Sequence, residues 1–382
     1  MLEGMTDTGH PLAPPAHERP LLDAALDLAA GFAGTAAALD ESAAIPLDNL
    51  RALHAAGLDA ATLPESLGGQ GLSYRAYGEI VRAVAAAEPS TACIWVMHIG
   101  AAGALAALSP EPEAARFAEA LRSGSRFANA LSEPAGGNLF LLPQQEAVAD
   151  DDGWRLSGTK RFVSGCEIAD HLLVNALVDG VPTFFGVDPD DTIGYVPIWD
   201  TMGMRATRSQ LVSFDGTLLR GDRRCAPPEP DQPNHVSAGL AFLSIGIAEA
   251  ALAALVAHAR GRVVPTTGEP LARMQWVQHA VADAAVRLDA ARLSARHSVW
   301  LADQRSPGFI PATLNAKLLA GEVAKDIAQL GVSVGGGSGY LRTSPIQRHF
   351  RDAQAGALMA YSAEVCRTYI GSALLEDAPD EP

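Results

Sequence analysis

From about residue 21 to 122, Ala- and Leu-rich runs recur at helical spacing with few β-branched residues, which predicts a helical region. Pro46 opens one helix and Gly57 closes it, and PESLGGQGLS at 64–73 is a glycine-rich connection. Ser90, directly after Pro89, is positioned to cap a helix running through TACIWVMHIGAAGAL. Between roughly 123 and 226 the texture changes to short alternating segments: EAVAD, WRLSGTKRF, HLLVNALV, TFFGVD and QLVSFDGTLL. Gly, Asp and Pro interrupt them at hairpin-like intervals, so this stretch reads as a small β domain. Helical periodicity returns from about 236 to the end, with long segments at 236–260, 271–303, 313–332 and 355–375, the pattern of an antiparallel bundle. The expected fold is mainly α with a central β domain: a disordered tail at 1–20, a helical domain at 21–122, the β domain at 123–226 and a helical bundle at 227–382.

The longest apolar run, LAFLSIGIAEAALAALVAHA at 240–259, carries Glu249 in its middle and reads as a buried core helix rather than a membrane span. With 382 residues, 48% of them hydrophobic and 19% charged, the chain can build a sizeable core in two or three domains, which excludes bulk disorder. The net charge of −16 makes nucleic acid and anionic membrane poor partners. Cys93, Cys166, Cys225 and Cys366 include no close pair, so neither a zinc site nor a disulfide framework is expected. The first twenty residues lack a basic region followed by an apolar one, and a cytoplasmic protein is the expectation. No phosphate loop, strand-linked GxGxxG, HExxH or GxSxG occurs. The nearest glycine run, GGGSG at 335–339, follows a helix-like segment.

Five strings in a fixed order carry more: LPESLGGQGLS at 63–73, LSEPAGGN at 131–138, WRLSGTKRFVSG at 154–165, MGMRATRSQLVSFDG at 202–216 and GVSVGGGSGYLRTSPIQRHFRDA at 331–353. With the helical, β, helical order, they make most of residues 25–375 resemble the acyl-CoA dehydrogenase superfamily of flavoproteins. The resemblance implies an N-terminal helical domain, a middle β-barrel or sandwich domain, a C-terminal four-helix bundle, a flavin held between them and a homotetramer or homodimer. It implies that Leu131 and Ser132 contact the flavin pyrimidine edge, and that Phe162 and Ser164 match the family's Trp-x-Thr beside the reactive ring. Donors aimed at ring oxygens and N5 would stabilise charge on a reduced flavin. Without the other strings, LSEP and FVSG would read as turn chemistry.

By the same resemblance, Arg262 and Gln275 reach a neighbouring subunit's FAD pyrophosphate, Gly336 and Gly337 approach its adenine half, and Ser362 lies on the cofactor side. FAD is favoured over FMN by those glycines, whose alternative role is close helix packing. The family's Arg-x-x-x-Phe-Gly is altered here: five residues separate Arg262 from Gly268, and Thr267 stands where Phe is expected. Arg351 and Asp352 match an RD pair that reads best as a structural ion pair or helix cap.

Acyl thioester dehydrogenation needs a base for the α-proton. The family's Tyr-Glu-Gly-Thr string reads Met359, Ala360, Tyr361, Ser362 here, so the base position is Ala360. The alternative family position falls on Val236. Glu364, one helical turn beyond Ala360, is a substitute base on spacing and a surface or cofactor-side residue on the plainer reading. Glu133 reads as structural. Base-free members of this fold are monooxygenases that oxidise heteroatoms or rings through a C4a-(hydro)peroxide, and His98 and Ser164 resemble that branch as its oxygen-activation pair. His98 reads equally as a packed or capping histidine. Three functions follow: a flavin-dependent oxidoreductase acting on a CoA- or carrier-bound acyl thioester, a reduced-flavin monooxygenase, and an inactive structural relative. Either enzyme needs an electron-transfer partner or a flavin reductase. No metal is implied.

Overall fold

The computed structural model describes residues 10–137, 139–229 and 232–375. Seven helices come first: α1 (Arg19–Phe32), α2 (Ala36–Ser42), α3 (Leu47–Ala55), α4 (Leu58–Ala61), α5 (Tyr74–Ala87), α6 (Pro89–Leu108) and α7 (Glu113–Arg122). The expected disordered tail is corrected for its described part, while residues 1–9 lie outside the described residues. Arg75 donates to the carbonyls of Pro11 and Ala13 at 2.9 and 3.0 Å, and buried Glu18 accepts the Ser73 N–H and hydroxyl at 2.7 and 2.6 Å. The start of α6 also differs from expectation. Pro89 occupies its first turn, and the carboxylate of Glu88, not Ser90, accepts the free N–H groups of Ser90 and Thr91 at 3.2 and 2.6 Å. Ser90 lies inside the helix and is buried.

Seven strands follow: β1 (Phe127–Ala130), β2 (Val148–Asp150), β3 (Gly153–Val163), β4 (His171–Val178), β5 (Val181–Val187), β6 (Ile193–Val196) and β7 (Gln210–Arg220). They form two sheets, one ordered β1-β4-β5 with β1 parallel to β4, the other β2-β3-β7-β6 and antiparallel. Side chains such as Leu156, Val174, Phe185, Val212 and Phe214 fill the space between the sheets. The β3–β7 register slips between Lys160 and Val163, and this irregularity leaves Phe162 at φ 60° and turns it out of the sheet core.

The remaining helices are α8 (His235–Gly261), α9 (Gln275–Asp303), α10 (Phe309–Tyr340), α11 (Pro345–Ala353), α12 (Ala355–Leu358) and α13 (Ala363–Leu375). Asn234 caps α8 by accepting the Ser237 N–H at 2.9 Å. Residues 262–271 fold back as a small hairpin, so the second long segment begins at Gln275. The run expected over 355–375 is split between α12 and α13, with Tyr361 in the left-handed region at φ 55° between them.

Two helices, Pro89–Leu108 and His235–Gly261, are long and apolar enough to cross a membrane by length and composition. Sequence reading singled out only the second. Within the protein 72% and 67% of these windows are buried, because α8 packs against α5, α6, α9 and α10 around most of its circumference. Contact with α5 is close enough that a Cβ at Gly246 would strike the Arg82 carbonyl and the Ala86 nitrogen.

Candidate functional site

A cavity of about 630 Å³ opens where the ends of β1 and β3, the 199–209 segment and α6 meet the start of α8 and the α11–α13 region. On the β side its lining includes Leu131, Ser132, Phe162, Ser164, Thr207 and Ser209; on the bundle side it includes Val236, Leu358, Met359, Ala360 and Tyr361. The Phe162 ring meets Trp199 edge-on at 6.2 Å and carries the Arg161 guanidinium 4.7 Å from its centroid.

The residues after β1 are held from beneath. Lys160, fully buried, donates to Glu133 at 2.6 Å and to Asn175 at 2.9 Å. Burial lowers the Lys160 pKa, opposed by the Glu133 carboxylate. Glu133 also accepts the backbone N–H groups of Gln144 and Gln145 at 2.9 and 3.3 Å, and Asn175 donates to the Phe140 carbonyl at 2.8 Å. Glu133 therefore ties the 131–145 loop to the sheet. Phe140, from this loop, meets the Tyr361 ring at 5.3 Å in an edge-on contact that joins the two sides of the cavity.

Ser164 begins a line of hydroxyls along the β side. Its Oγ lies 2.8 Å from Ser209 Oγ, Ser209 donates to Thr207 Oγ1 at 2.9 Å, and Thr207 donates to the Met204 carbonyl at 2.9 Å. Trp199 Nε1 donates to the same carbonyl at 3.2 Å. Cys93 on α6 also lines the cavity, and burial pushes its thiol pKa up to about 12.

The bundle side has no titratable group at either base position, since Ala360 and Val236 both face the cavity. Among the described residues the one carboxylate in the lining is Glu229, exposed at the mouth. The Glu229 N–H donates to the Gln232 side chain at 3.2 Å and its carbonyl accepts the Gln232 N–H at 3.1 Å. Glu229 escaped sequence reading because it lies in no family string. The Thr207–Ser209 hydroxyl pair was legible only as alternation inside MGMRATRSQ.

His98 is not part of the cavity lining. It is buried behind α6, where Nδ1 accepts the Phe127 N–H at 3.0 Å and Nε2 lies 3.4 Å from Asp59. Accepting at Nδ1 leaves the neutral ring's proton on Nε2, facing the carboxylate. Trp95 and Arg126 also donate to Asp59, at 2.8 and 3.2 Å. Burial alone would raise the Asp59 pKa, but His98, Arg126 and Trp95 outweigh it and bring it down to about 2. The oxygen-activation role expected for His98 is therefore corrected to a place in this core network.

Glu364 is exposed on α13, outside the cavity, because the backbone turn at Tyr361 swings the helix outward; the substitute-base reading is corrected. Ser362 is buried at the start of α13 and accepts the Val365 N–H at 3.4 Å, so it serves the helix end rather than this chain's cavity. Arg262, Gln275, Gly336 and Gly337 are all exposed and away from the cavity. Gly336, at φ 53° and ψ −144°, breaks the α10 backbone. Arg351 pairs with Asp40 and lines the cavity. Buried Asp352 accepts the Met204 N–H at 2.7 Å, bracing the wall at Gly203, where a Cβ would overlap the Arg351 carbonyl. Burial pushes the Asp352 pKa up to about 7, assisted by Asp40 and Glu88 and opposed by the Met204 hydrogen bond.

Comparison with known proteins matches three consecutive family descriptions: acyl-CoA dehydrogenase N-terminal domain over 16–125, middle domain over 128–217 and C-terminal domain over 234–375. The chain is 28% identical over 355 residues to the mitochondrial short-chain specific acyl-CoA dehydrogenase of Bos taurus, covering 89% of this chain and 85% of that protein. It is 29% identical over 361 residues to the 3-sulfinopropanoyl-CoA desulfinase of Paraburkholderia xenovorans (strain LB400), covering 89% and 91%. The butyryl-CoA dehydrogenase structure from Megasphaera elsdenii superposes with a TM-score of 0.87 at 24% identity, covering 94% and 98%.

Proposed function

The chain belongs to the acyl-CoA dehydrogenase family, whose members bind FAD, and from that premise we propose that it is an FAD-dependent oxidoreductase acting on an acyl thioester. The observation that carries the reading is the cavity itself. Its volume of about 630 Å³ lies within the few-hundred to thousand Å³ of cofactor and ligand sites, and its buried hydroxyls and aromatic rings suit a flat, partly polar ring. Leu131, Ser132, Phe162 and Ser164 would hold that ring from the β side. Bound FAD would supply hydride acceptance, and the reduced cofactor would need an electron-transfer partner. Arg262, Gln275, Gly336 and Gly337, exposed in a single chain, would serve the cofactor of a second copy in a homo-oligomer.

On this reading Val236, Leu358 and Met359 receive the apolar acyl part, and Glu229 at the mouth is the available carboxylate for an α-proton. Anaerobic stopped-flow absorbance with a panel of acyl-CoA thioesters tests the assignment. Bleaching of the oxidised flavin by one of them, slowed about 100-fold or more in Glu229→Gln, supports it. Bleaching that is unaffected removes Glu229 from the role.

A second reading, a reduced-flavin monooxygenase, is favoured by the methyl group of Ala360 and the isopropyl group of Val236 at the base positions. Such chemistry needs no α-proton base. Absence of bleaching with every thioester, together with oxygen-dependent hydroxylation of a heteroatom or aromatic substrate by the reduced enzyme, would select it.

A further inference from the structure

We propose that Ser209 is a positioning residue that fixes Ser164 as a hydrogen-bond acceptor toward the cavity, by polarising the line Ser164–Ser209–Thr207 in one direction. The direction follows from the end of the line. The Met204 carbonyl can only accept, so Thr207 spends its one proton there at 2.9 Å. Ser209 then spends its proton on Thr207 at 2.9 Å, and the 2.8 Å contact between Ser209 and Ser164 is left for the Ser164 proton to fill. Ser164 thus spends its proton on Ser209, and its lone pairs are left to the cavity.

The Met204 carbonyl at the end of the line also accepts Trp199 Nε1 at 3.2 Å and the Thr207 N–H at 3.1 Å. Polarity is set where the Thr207 hydroxyl donates to this carbonyl, and is transmitted through Ser209.

The consequence rests on the reading that the cavity holds a flavin with Ser164 beside N5. Oxidised flavin presents an acceptor at N5, and two acceptors facing each other gain nothing. Reduced flavin presents an N–H there, for which an acceptor-only Ser164 is a partner. The polarised line therefore favours the reduced cofactor. Ser209→Ala removes the acceptor that occupies the Ser164 proton and frees it to turn toward the ring, favouring the oxidised state. Ser209→Thr keeps the hydroxyl and the polarity.

The test equilibrates the full-length, flavin-loaded protein anaerobically with a reference redox dye and reads the reduced-to-oxidised flavin ratio at a fixed dye ratio. Ser209→Ala lowers it about fivefold, the factor one net hydrogen bond carries, and Ser209→Thr restores it. Thr207→Val breaks the line one link further along and moves the ratio in the same direction, which provides a second variant if Ser209→Ala does not fold. An unchanged or raised ratio in a variant that binds flavin at wild-type stoichiometry overturns the proposal. Failure of the wild-type protein to bind flavin overturns instead the cofactor reading beneath it.

Discussion

The two walls of the cavity come from different domains and differ in kind. The middle domain contributes an ordered line of buried hydroxyls and a loop tied down by the Lys160–Glu133 pair. The bundle contributes the methyl group of Ala360 and the isopropyl group of Val236 at the two positions where the resemblance led one to expect a carboxylate. Hydroxyls from the middle domain and the aliphatic side chains of Ala360 and Val236 from the bundle thus face one cavity. Tyr361, on the bundle side, holds a left-handed backbone at φ 55°, and its ring reaches across to Phe140.

Ala360→Glu is the sharpest way to test the contrast. Restoring a carboxylate on the bundle wall should speed thioester-driven flavin bleaching by about 100-fold or more, as positioned acid–base groups do. Stopped-flow absorbance reads it directly, and no gain would mean that this wall does not face the reacting carbon.

Asp59→Ala probes the core network behind α6. It leaves Arg126 and His98 without their shared carboxylate and should cost about 3 kcal/mol of stability in a denaturant titration, with the flavin spectrum unchanged. A shifted spectrum at an unchanged midpoint would return His98 to the cavity's chemistry.

A smaller effect comes from Asp352. Its folded pKa of about 7 lies above the ordinary value of 3.8, so between these limits the native state binds more protons than the unfolded chain. Its contribution to stability is complete below about pH 4 and lost as pH rises through about 7. Thermal melts across that window should show this slope, and Asp352→Asn should flatten it.

The helical, β, helical order was legible because periodicity reports which face of an element is buried, and α8 declared itself by its long apolar run around Glu249. Leu131, Ser132, Phe162 and Ser164 were legible through family strings, and the structure brings all four to one cavity. Side-chain direction was not legible. His98 sits on a helix buried on nearly every side, so spacing could not say whether its ring faced the cavity or Asp59. Glu364 was placed by counting one turn from Ala360, and the left-handed residue between them voids that count. The order of residues 10–20 depends on Arg75 and Ser73, more than fifty positions away, which local composition does not report.

The close approaches at Gly203 and Gly246 have a consequence for how this protein tolerates mutation. At both positions an added methyl group would meet main-chain atoms, which cannot rotate aside as a side chain can. In a saturation library these two sites should reject alanine almost as firmly as tryptophan. Exposed positions such as Val286 and Leu374 should accept nearly any residue in a single folded chain. Intolerance would then trace the seams where α5 meets α8 and where the middle domain meets the bundle, marking an inheritance constraint with no chemistry of its own.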